Sequence, residues 1–346
     1  MSDHVVHARK QGRVGRITLN RPKALHALNL EMCEIMTDAL LAWRRDPNVD
    51  FVVVDHAENT RGFCAGGDIR LLADSGRGDG RAGAAFFALE YRLNTLIKEF
   101  PKPYVAIIDG VTMGGGVGIS VHGSHRVATE RTTFAMPEAG IGLVPDVGGG
   151  YFLPRLDGQL GTWLALTGTR LKGQDVVALG VATHFVPSET ISDVIDRLCT
   201  EGISALDTAT VAAVGSYDVH RTEMDQAFAS PSVEEILKRL QAGSDWAKTV
   251  ASEMESKSPL TMKIARQQLL RGKDMTFRQV MAMEYRLCTR MIKTANFQEG
   301  VRAVLVDRDN NPQWEPSTLE EISDQTVADF FDERGAEELS FKEIDG

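Results

Sequence analysis

Hydrophobic and polar positions along the chain fall into two regimes. Up to about residue 187, β-branched runs and helical periodicity are interrupted by glycine clusters; beyond it the pattern is helix after helix, charged and poor in glycine. Val14–Leu19 reads as a strand closed by the turn Asn20-Arg21-Pro22. Asn29 is placed to cap a helix from Leu30 to Asp46. Ile35, Met36, Ala39, Leu40 and Trp43 share one face of it, and Pro47 stops it. Phe51–Val54 is apolar throughout, as in a strand covered on both faces. The glycine turn RGFCAGGDI follows, and residues 74–83 read as a polar, Gly-rich loop. A second amphipathic helix spans Ala84–Glu99 with Phe86, Leu89, Leu93 and Leu96 inward. Tyr104–Ile108 is the next buried strand; it leads into DGVTMGGGVGIS, where glycines open a helix, and then into the strand-like HRVATERTTFAM.

Strand, glycine turn and helix recur at intervals of roughly 50 residues, which predicts stacked β/α units with their loops gathered at one edge. After Ser188 the elements are helical. One begins at Ser258-Pro259 with Met262, Ile264, Ala265, Leu269 and Leu270 on one side, and another spans Thr276–Lys293. Their Met and Leu stripes read as core or interface. The tail after residue 315 is acidic, with short amphipathic stretches.

With 346 residues, the chain is long enough for one large domain with an extension, or for two domains. A core of that size needs no disulfide or metal. The balance of 38 Lys+Arg against 48 Asp+Glu, a net charge of −10, argues against nucleic acid as a partner. It leaves room for a local basic spot that binds a phosphorylated small molecule. Cys33, Cys64, Cys199 and Cys288 form no CxxC pair, so zinc-ribbon and thioredoxin-type sites are not expected. The amino-terminal stretch MSDHVVHARKQGRV lacks a signal-peptide core, and no run is long enough to span a membrane. The expectation is a protein of a reducing compartment, the cytoplasm, with neither membrane nor metal.

Three motifs fail on inspection. MGGGVGIS is not GxGxxG, Gly272-Lys273 is followed by Asp274 rather than Ser or Thr, and His122 stands where a nucleophile elbow needs glycine. Two glycine turns remain, Ala65-Gly66-Gly67-Asp68 and Met113-Gly114-Gly115-Gly116. Each follows a buried strand and opens a helix, so each presents free N–H groups. Two such groups aimed at one point would hold a developing oxyanion; close packing of helix on strand is the alternative. Glu138 and Asp146 are the only charged residues between Thr132 and Leu153. Carboxylates in so apolar a stretch point to acid/base or nucleophilic work on a carbonyl, with capping and turn-making as the alternative.

NRPKALHALN, FCAGGDI, DGVTMGGGVGIS and MPEAGIGLVPDVGGGYFLPRL, in that order and spacing, resemble the crotonase (enoyl-CoA hydratase/isomerase) superfamily. KPYVAIIDGVTMGGGVGISVHGSHRVATERTTFAMPE, LTGTRLKGQDVVALGVATHFVP, KSP and NFQEGVRAVLVDRDNNPQW resemble its 3-hydroxyisobutyryl-CoA hydrolase branch. The likeness runs from about residue 12 to 315. It implies an α/β fold, a spiral of ββα units over residues 1–187, with a helical region over 188–346 that completes the site or an interface. It places Gly67 and Gly115 as oxyanion donors to the thioester carbonyl, and Glu138 as the shared catalytic carboxylate. Asp146 is placed as the branch's second acid and Glu90 beside the acyl pocket. Substrate binding thus falls to Glu90, Gly115, Glu138 and Asp146, and CoA binding to Lys23, Ala24, Leu25, Ala65, Gly67, Asp68 and Ile69.

The resemblance implies thioester hydrolysis, with a role in valine breakdown, no metal or redox cofactor, and CoA arriving as part of the substrate. A homo-oligomer is left open. Hydratases carry a second glutamate where Gly118 stands, which counts against hydration; isomerisation needs only one carboxylate and stays open, as does acyl-CoA binding without turnover. His26 replaces the family's usual asparagine and reads as a surface substitution.

Overall fold

The computed structural model describes residues 4–58, 60–207, 209 and 215–345. Residues 1–3 of the amino-terminal stretch and the last residue of the acidic tail lie outside them. The strand order is that of a spiral. β1 (Val6–Gln11) pairs antiparallel with β2 (Val14–Leu19); β3 (Phe51–His56), β5 (Tyr104–Ile107), β7 (His125–Ala128) and β10 (His184–Phe185) then extend the sheet in parallel. A second sheet holds β4 (Gly62–Cys64), β6 (Val111–Met113), β8 (Thr133–Ala135) and β9 (Leu171–Lys172), in that order. The pairs β3 and β4, β5 and β6, and β7 and β8 thus each add one strand to the first sheet and one to the second before a helical segment.

β1 escapes the pattern reading because it is an edge strand. Only Val6 is buried, while Ala8, Arg9 and Lys10 face solvent, which also protects the edge from further pairing. HRVATERTTFAM proves to be two strands in two sheets. The turn between them is held by Thr129 Oγ1 donating to Asp109 Oδ1 (2.6 Å) and Thr132 Oγ1 donating to the Ile108 carbonyl (2.7 Å).

The apolar run of β3 is covered on both faces. Val52 and Val54 enter the main core, whereas Phe51 and Val53 pack in a second cluster with Val194, Ile195 and Leu198 of the Ile191–Glu201 helix. The main core is continuous from Val6 through the spiral and the carboxy-terminal helices to Ile344. In the acidic tail, Leu319, Ile322, Val327, Phe331, Leu339 and Ile344 are buried, and Arg278 joins Glu99 (2.6 Å) to Asp345 (2.7 Å).

The structure corrects the loop expected at 74–83. Asn29 caps α1 (Leu30–Trp43) as expected, but Asp68 caps α2 (Ile69–Arg77), and α3 (Arg81–Lys98) begins after a three-residue turn. Gly76 is there for proximity rather than turning: a Cβ on it would lie 1.9 Å from the Ile292 carbonyl oxygen. In the Pro259–Gly272 helix, Leu270 points outward and is 38% exposed, while Met262, Ile264, Ala265 and Leu269 are buried.

α4 (Gly115–Gly118) lies against β4 at a distance only glycine permits. A Cβ on Gly116 would be 2.2 Å from the Cys64 carbonyl oxygen. Gly116→Ala is therefore expected to push α4 off β4 and to lower unfolding free energy by about 2 kcal/mol or more. A urea midpoint equal to that of the wild type would refute this.

Candidate active site

The two glycine turns meet at one cavity of about 780 Å³, whose wall includes Ala65, Gly66, Gly67, Met113, Gly114 and Gly115. The first turn is tied to the segment before α1. Ala65 N donates to the Leu25 carbonyl (3.0 Å) and Leu28 N to the Gly66 carbonyl (2.8 Å), with a parallel bridge between Leu28 and Gly67. Among the described residues, neither the Gly67 nor the Gly115 amide donates to an acceptor within the chain. Gly115 opens α4, where an unpaired N–H is inherent to a helix start. Gly114 takes a positive φ of 47°, and a Cβ on it would stand 3.2 Å from Glu138 Oε1. Glu138 and the turn are thus close neighbours.

Of the expected CoA-binding residues, Ala65, Gly67 and Ile69 line this cavity. Lys23, Ala24 and Leu25 form the turn behind it, and Asp68 is engaged as the α2 cap; these four lie outside the wall. The structure corrects the reading of His26 as a surface residue, since it is fully buried. Its Nδ1 accepts from the Arg21 amide (2.9 Å), so Nε2 carries the proton and faces Thr60 Oγ1 (3.1 Å). Burial and the nearby His56 lower its pKa to about 4, which keeps it neutral.

Glu90, Glu138 and Asp146 all line the cavity, and all are buried. Glu138 starts a short 3-10 turn after β8 but caps nothing, and its Oε2 has no hydrogen-bond partner among the described residues. Burial, reinforced by Asp146, holds its pKa well above the ordinary carboxylate range. Glu90 projects from α3 between the two glycine turns. Its Oε1 would lie 2.6 Å from a Cβ on Gly115 and 3.9 Å from one on Gly67, and that oxygen too is unpartnered among the described residues. Burial and Asp146 likewise raise its pKa far above normal. Asp146 is the best satisfied of the three: Tyr91 Oη donates to its Oδ2 at 2.6 Å. Burial raises its pKa to about 6, against the opposing pull of that hydroxyl.

Four residues shape this site in ways the sequence reading did not assign. Glu284, from the Phe277–Met291 helix, accepts from the amides of Gly148 (2.7 Å) and Gly150 (2.8 Å). Gln268 Nε2 donates to Glu284 Oε1 (3.0 Å) and to the Pro145 carbonyl (2.7 Å), and His122 Nε2 donates to the Val147 carbonyl (2.7 Å). Together they hold the loop carrying Asp146, in which Val147 sits at φ 50°, a strained value for a β-branched residue. Glu284 could have been noticed as a lone carboxylate in a Met/Leu stripe; the partners of Gln268 and His122 leave no trace in sequence. The fourth, Asn94, fills the space beside Gly118. A Cβ there would meet Val147 Cβ at 2.7 Å and Asn94 Nδ2 at 2.8 Å.

Residues 14–331 match the model of the enoyl-CoA hydratase/isomerase family. The chain belongs to that family. Among curated relatives, a zebrafish (Danio rerio) protein named mitochondrial 3-hydroxyisobutyryl-CoA hydrolase is 48% identical over 92% of this chain and 87% of its own. The human protein of that name is 42% identical over 96% and 89%. A solved structure of a carnitinyl-CoA dehydratase from Mycobacterium thermoresistibile superposes with a TM-score of 0.93 at 36% identity, covering 98% of this chain and 99% of that one. An enoyl-CoA hydratase from Rhodobacter sphaeroides gives 0.91 at 39%, over 98% and 100%. The spiral expected from the resemblance is therefore the family's fold. Among the described residues no His, Cys, Asp and Glu cluster could hold a metal ion, and no helix is long and apolar enough to cross a membrane.

The pKa of Asp146 gives stability a defined pH dependence. A folded value near 6 against an ordinary 3.8 means that its contribution is fully present below about pH 3.8 and is lost as the pH rises through 6. Tyr91→Phe removes the bond that favours the ionised form and raises this pKa further. The fall in unfolding free energy between pH 5 and pH 8 should then be larger than in the wild type, by about 1 kcal/mol. Urea titrations at the two pH values measure it; an unchanged fall would show that the hydroxyl does not tune Asp146.

Proposed function

We propose that the chain hydrolyses an acyl-CoA thioester, and that its substrate is 3-hydroxyisobutyryl-CoA, giving CoA and 3-hydroxyisobutyrate in valine breakdown. The observation that carries this reading is a buried carboxylate, Glu138, in one cavity with two glycine amides, its Oε2 and both amides being without a partner among the described residues. The thioester carbonyl is polarised between the Gly67 and Gly115 N–H groups, which stabilise the oxyanion as it develops. Glu138 either attacks the carbonyl carbon, breaking the C–S bond to release the CoA thiolate and leave a mixed anhydride that water then opens, or takes a proton from a water that attacks the carbonyl and expels the same thiolate. The thiolate leaves as the thiol once protonated. Solvent oxygen enters the Glu138 carboxylate only on the first route. A raised pKa strengthens Glu138 as a proton acceptor once it is ionised. Asp146, fixed by Tyr91, orients the water or the 3-hydroxyl, and Glu90 shapes the acyl end of the pocket.

Curated relatives at 42–48% identity are named for this hydrolysis. The solved relatives named as hydratase and dehydratase keep the alternative of water addition or loss in view. Against it stands the lack of space for any side chain at Gly118, where Val147 and Asn94 already pack. The reading gives no step to a metal or redox group, and CoA enters with the substrate. Four free thiols suit the cytoplasm, whereas the vertebrate relatives are named as mitochondrial; cell fractionation distinguishes the two.

The test is to follow free thiol with (S)-3-hydroxyisobutyryl-CoA, and the enoyl chromophore with crotonyl-CoA. Thiol release from the hydroxyacyl ester is expected, and loss of enoyl absorbance without thiol would replace hydrolase with hydratase. Glu138→Gln should lower kcat by roughly a thousandfold or more while acyl-CoA still binds. Retained turnover would remove Glu138 from the chemistry.

A further inference from the structure

His26 closes a strained turn that backs the first of the two glycine amides. Leu25 and His26 both lie in the left-handed backbone region, at φ 48° and 56°, two adjacent side chains where glycine is the usual occupant. Such a conformation is costly and persists only where its surroundings hold it. The His26 side chain supplies the hold. Its Nδ1 accepts from the Arg21 amide (2.9 Å), while its own amide donates to the Arg21 carbonyl (3.0 Å). The ring is fully buried, and its Nε2 donates to Thr60 Oγ1 (3.1 Å). Thr60 Oγ1 lies 2.7 Å from His56 Nδ1 and 2.9 Å from the Ala57 carbonyl, and His56 Nε2 donates to the Asp109 carbonyl (3.1 Å). Asp109 stands two residues before β6, whose far end carries the second glycine turn. These contacts join the foundations of both turns.

What the turn does for the site follows from peptide geometry. The Leu25 carbonyl accepts from the Ala65 amide (3.0 Å), and Leu28 N donates to the Gly66 carbonyl (2.8 Å). That carbonyl and the Gly67 N–H belong to one planar trans peptide, so they point in opposite directions. Fixing the carbonyl on Leu28 therefore fixes the Gly67 N–H, which leads away from Leu28. Gly67 lines the cavity, and its amide has no acceptor within the chain among the described residues. Cys64 Sγ adds only a longer contact to the same carbonyl (3.5 Å), so Leu28 sets the orientation. Direction matters here, because an oxyanion donor is effective only when it is aimed before the charge develops.

We propose that His26 is a positioning residue for the oxyanion hole: bonded to Arg21 and Thr60, it locks the strained turn that aims the Gly67 amide at the thioester carbonyl. The inference rests on the acyl-CoA reading and goes beyond it, since it gives a part in the reaction to a side chain outside the cavity wall.

The test uses three variants of the full chain. His26→Leu removes both ring contacts, Thr60→Val removes only the hydroxyl, and Thr60→Ser keeps it. With (S)-3-hydroxyisobutyryl-CoA, the first two should lower kcat at least tenfold while KM changes less than threefold, because the lost interaction belongs to the transition state. Thr60→Ser should keep kcat within threefold of the wild type. Where His26→Leu does not fold, Thr60→Val decides. Wild-type kcat in Thr60→Val overturns the inference, as does an equal loss in Thr60→Ser. A raised KM with kcat intact also overturns it, because the turn would then serve CoA binding. A second measurement needs no turnover. In the Glu138→Gln background, the carbonyl stretch of the bound, isotope-labelled thioester should lie below its value in water, and adding Thr60→Val should remove at least half of that downshift. No downshift in the Glu138→Gln background alone would refute the oxyanion reading itself. A downshift that Thr60→Val leaves intact would refute the role of His26 and leave that reading standing.

Discussion

The site depends on the cost of burying negative charge. Glu90, Glu138, Asp146 and Glu284 are all withdrawn from water within one region of the molecule; Asp146 raises the pKa of the other three, and Glu284 and Glu90 add to the rise at Glu138. Desolvation and like charge act in the same direction, so they could not all be ionised without specific support. The support is unequal. Glu284 has two backbone amides and Gln268, and its pKa still rises to about 8. Asp146 has Tyr91, while Glu138 and Glu90 each keep an oxygen without a partner among the described residues. The two with unmet hydrogen-bonding capacity flank the glycine turns where the free amides lie. That is the arrangement expected when a bound substrate, rather than the protein, completes the hydrogen bonding.

The backbone makes this possible by coming unusually close to itself. Gly115 leaves room for Glu90, Gly116 lets α4 touch β4, and Gly118 leaves room for Asn94 and Val147. A side chain at Gly115 or Gly116 would displace an element that positions an amide or a carboxylate. At Gly118 the same economy of space has a chemical consequence, because no second acid can be carried there. The strained Val147 belongs to the same pattern: its backbone is held by His122 on one side, and the loop beyond it by Glu284 on the other, so Asp146 has little freedom.

The carboxy-terminal region closes the cavity rather than standing beside it. Lys257, Leu305 and Trp314 supply part of its wall, and the tail beyond them packs into the main core as far as Ile344. A π-helical turn, Arg302–Val306, brings Val304 and Leu305 into the wall, with Arg302 binding Glu299 (2.8 Å) and Asp309 (2.7 Å) at its base. Irregular turns of that kind recur where a helix must reshape itself around a site.

The sequence by itself determined the local elements and the chemistry-bearing groups. Asn29 capping α1, the doubly covered β3, the two glycine turns and the carboxylates Glu138 and Asp146 could all be read, because each depends on neighbours within a few residues. The ordered motifs also pointed to the family. Tertiary structure alone decided what the glycines and polar residues were for. Residues 74–77, read as loop, are helical, and Gly76 there leaves room for Ile292, far along the chain; His26 became a buried, neutral link to Thr60 rather than a surface substitution. Glu284, Gln268 and His122 acquired their roles from hydrogen bonds spanning 16 to 136 residues. Propensity and periodicity describe a residue's relation to its near neighbours. Distances between segments, and the burial they impose on charge, exist only once the spiral and its helical cover have closed.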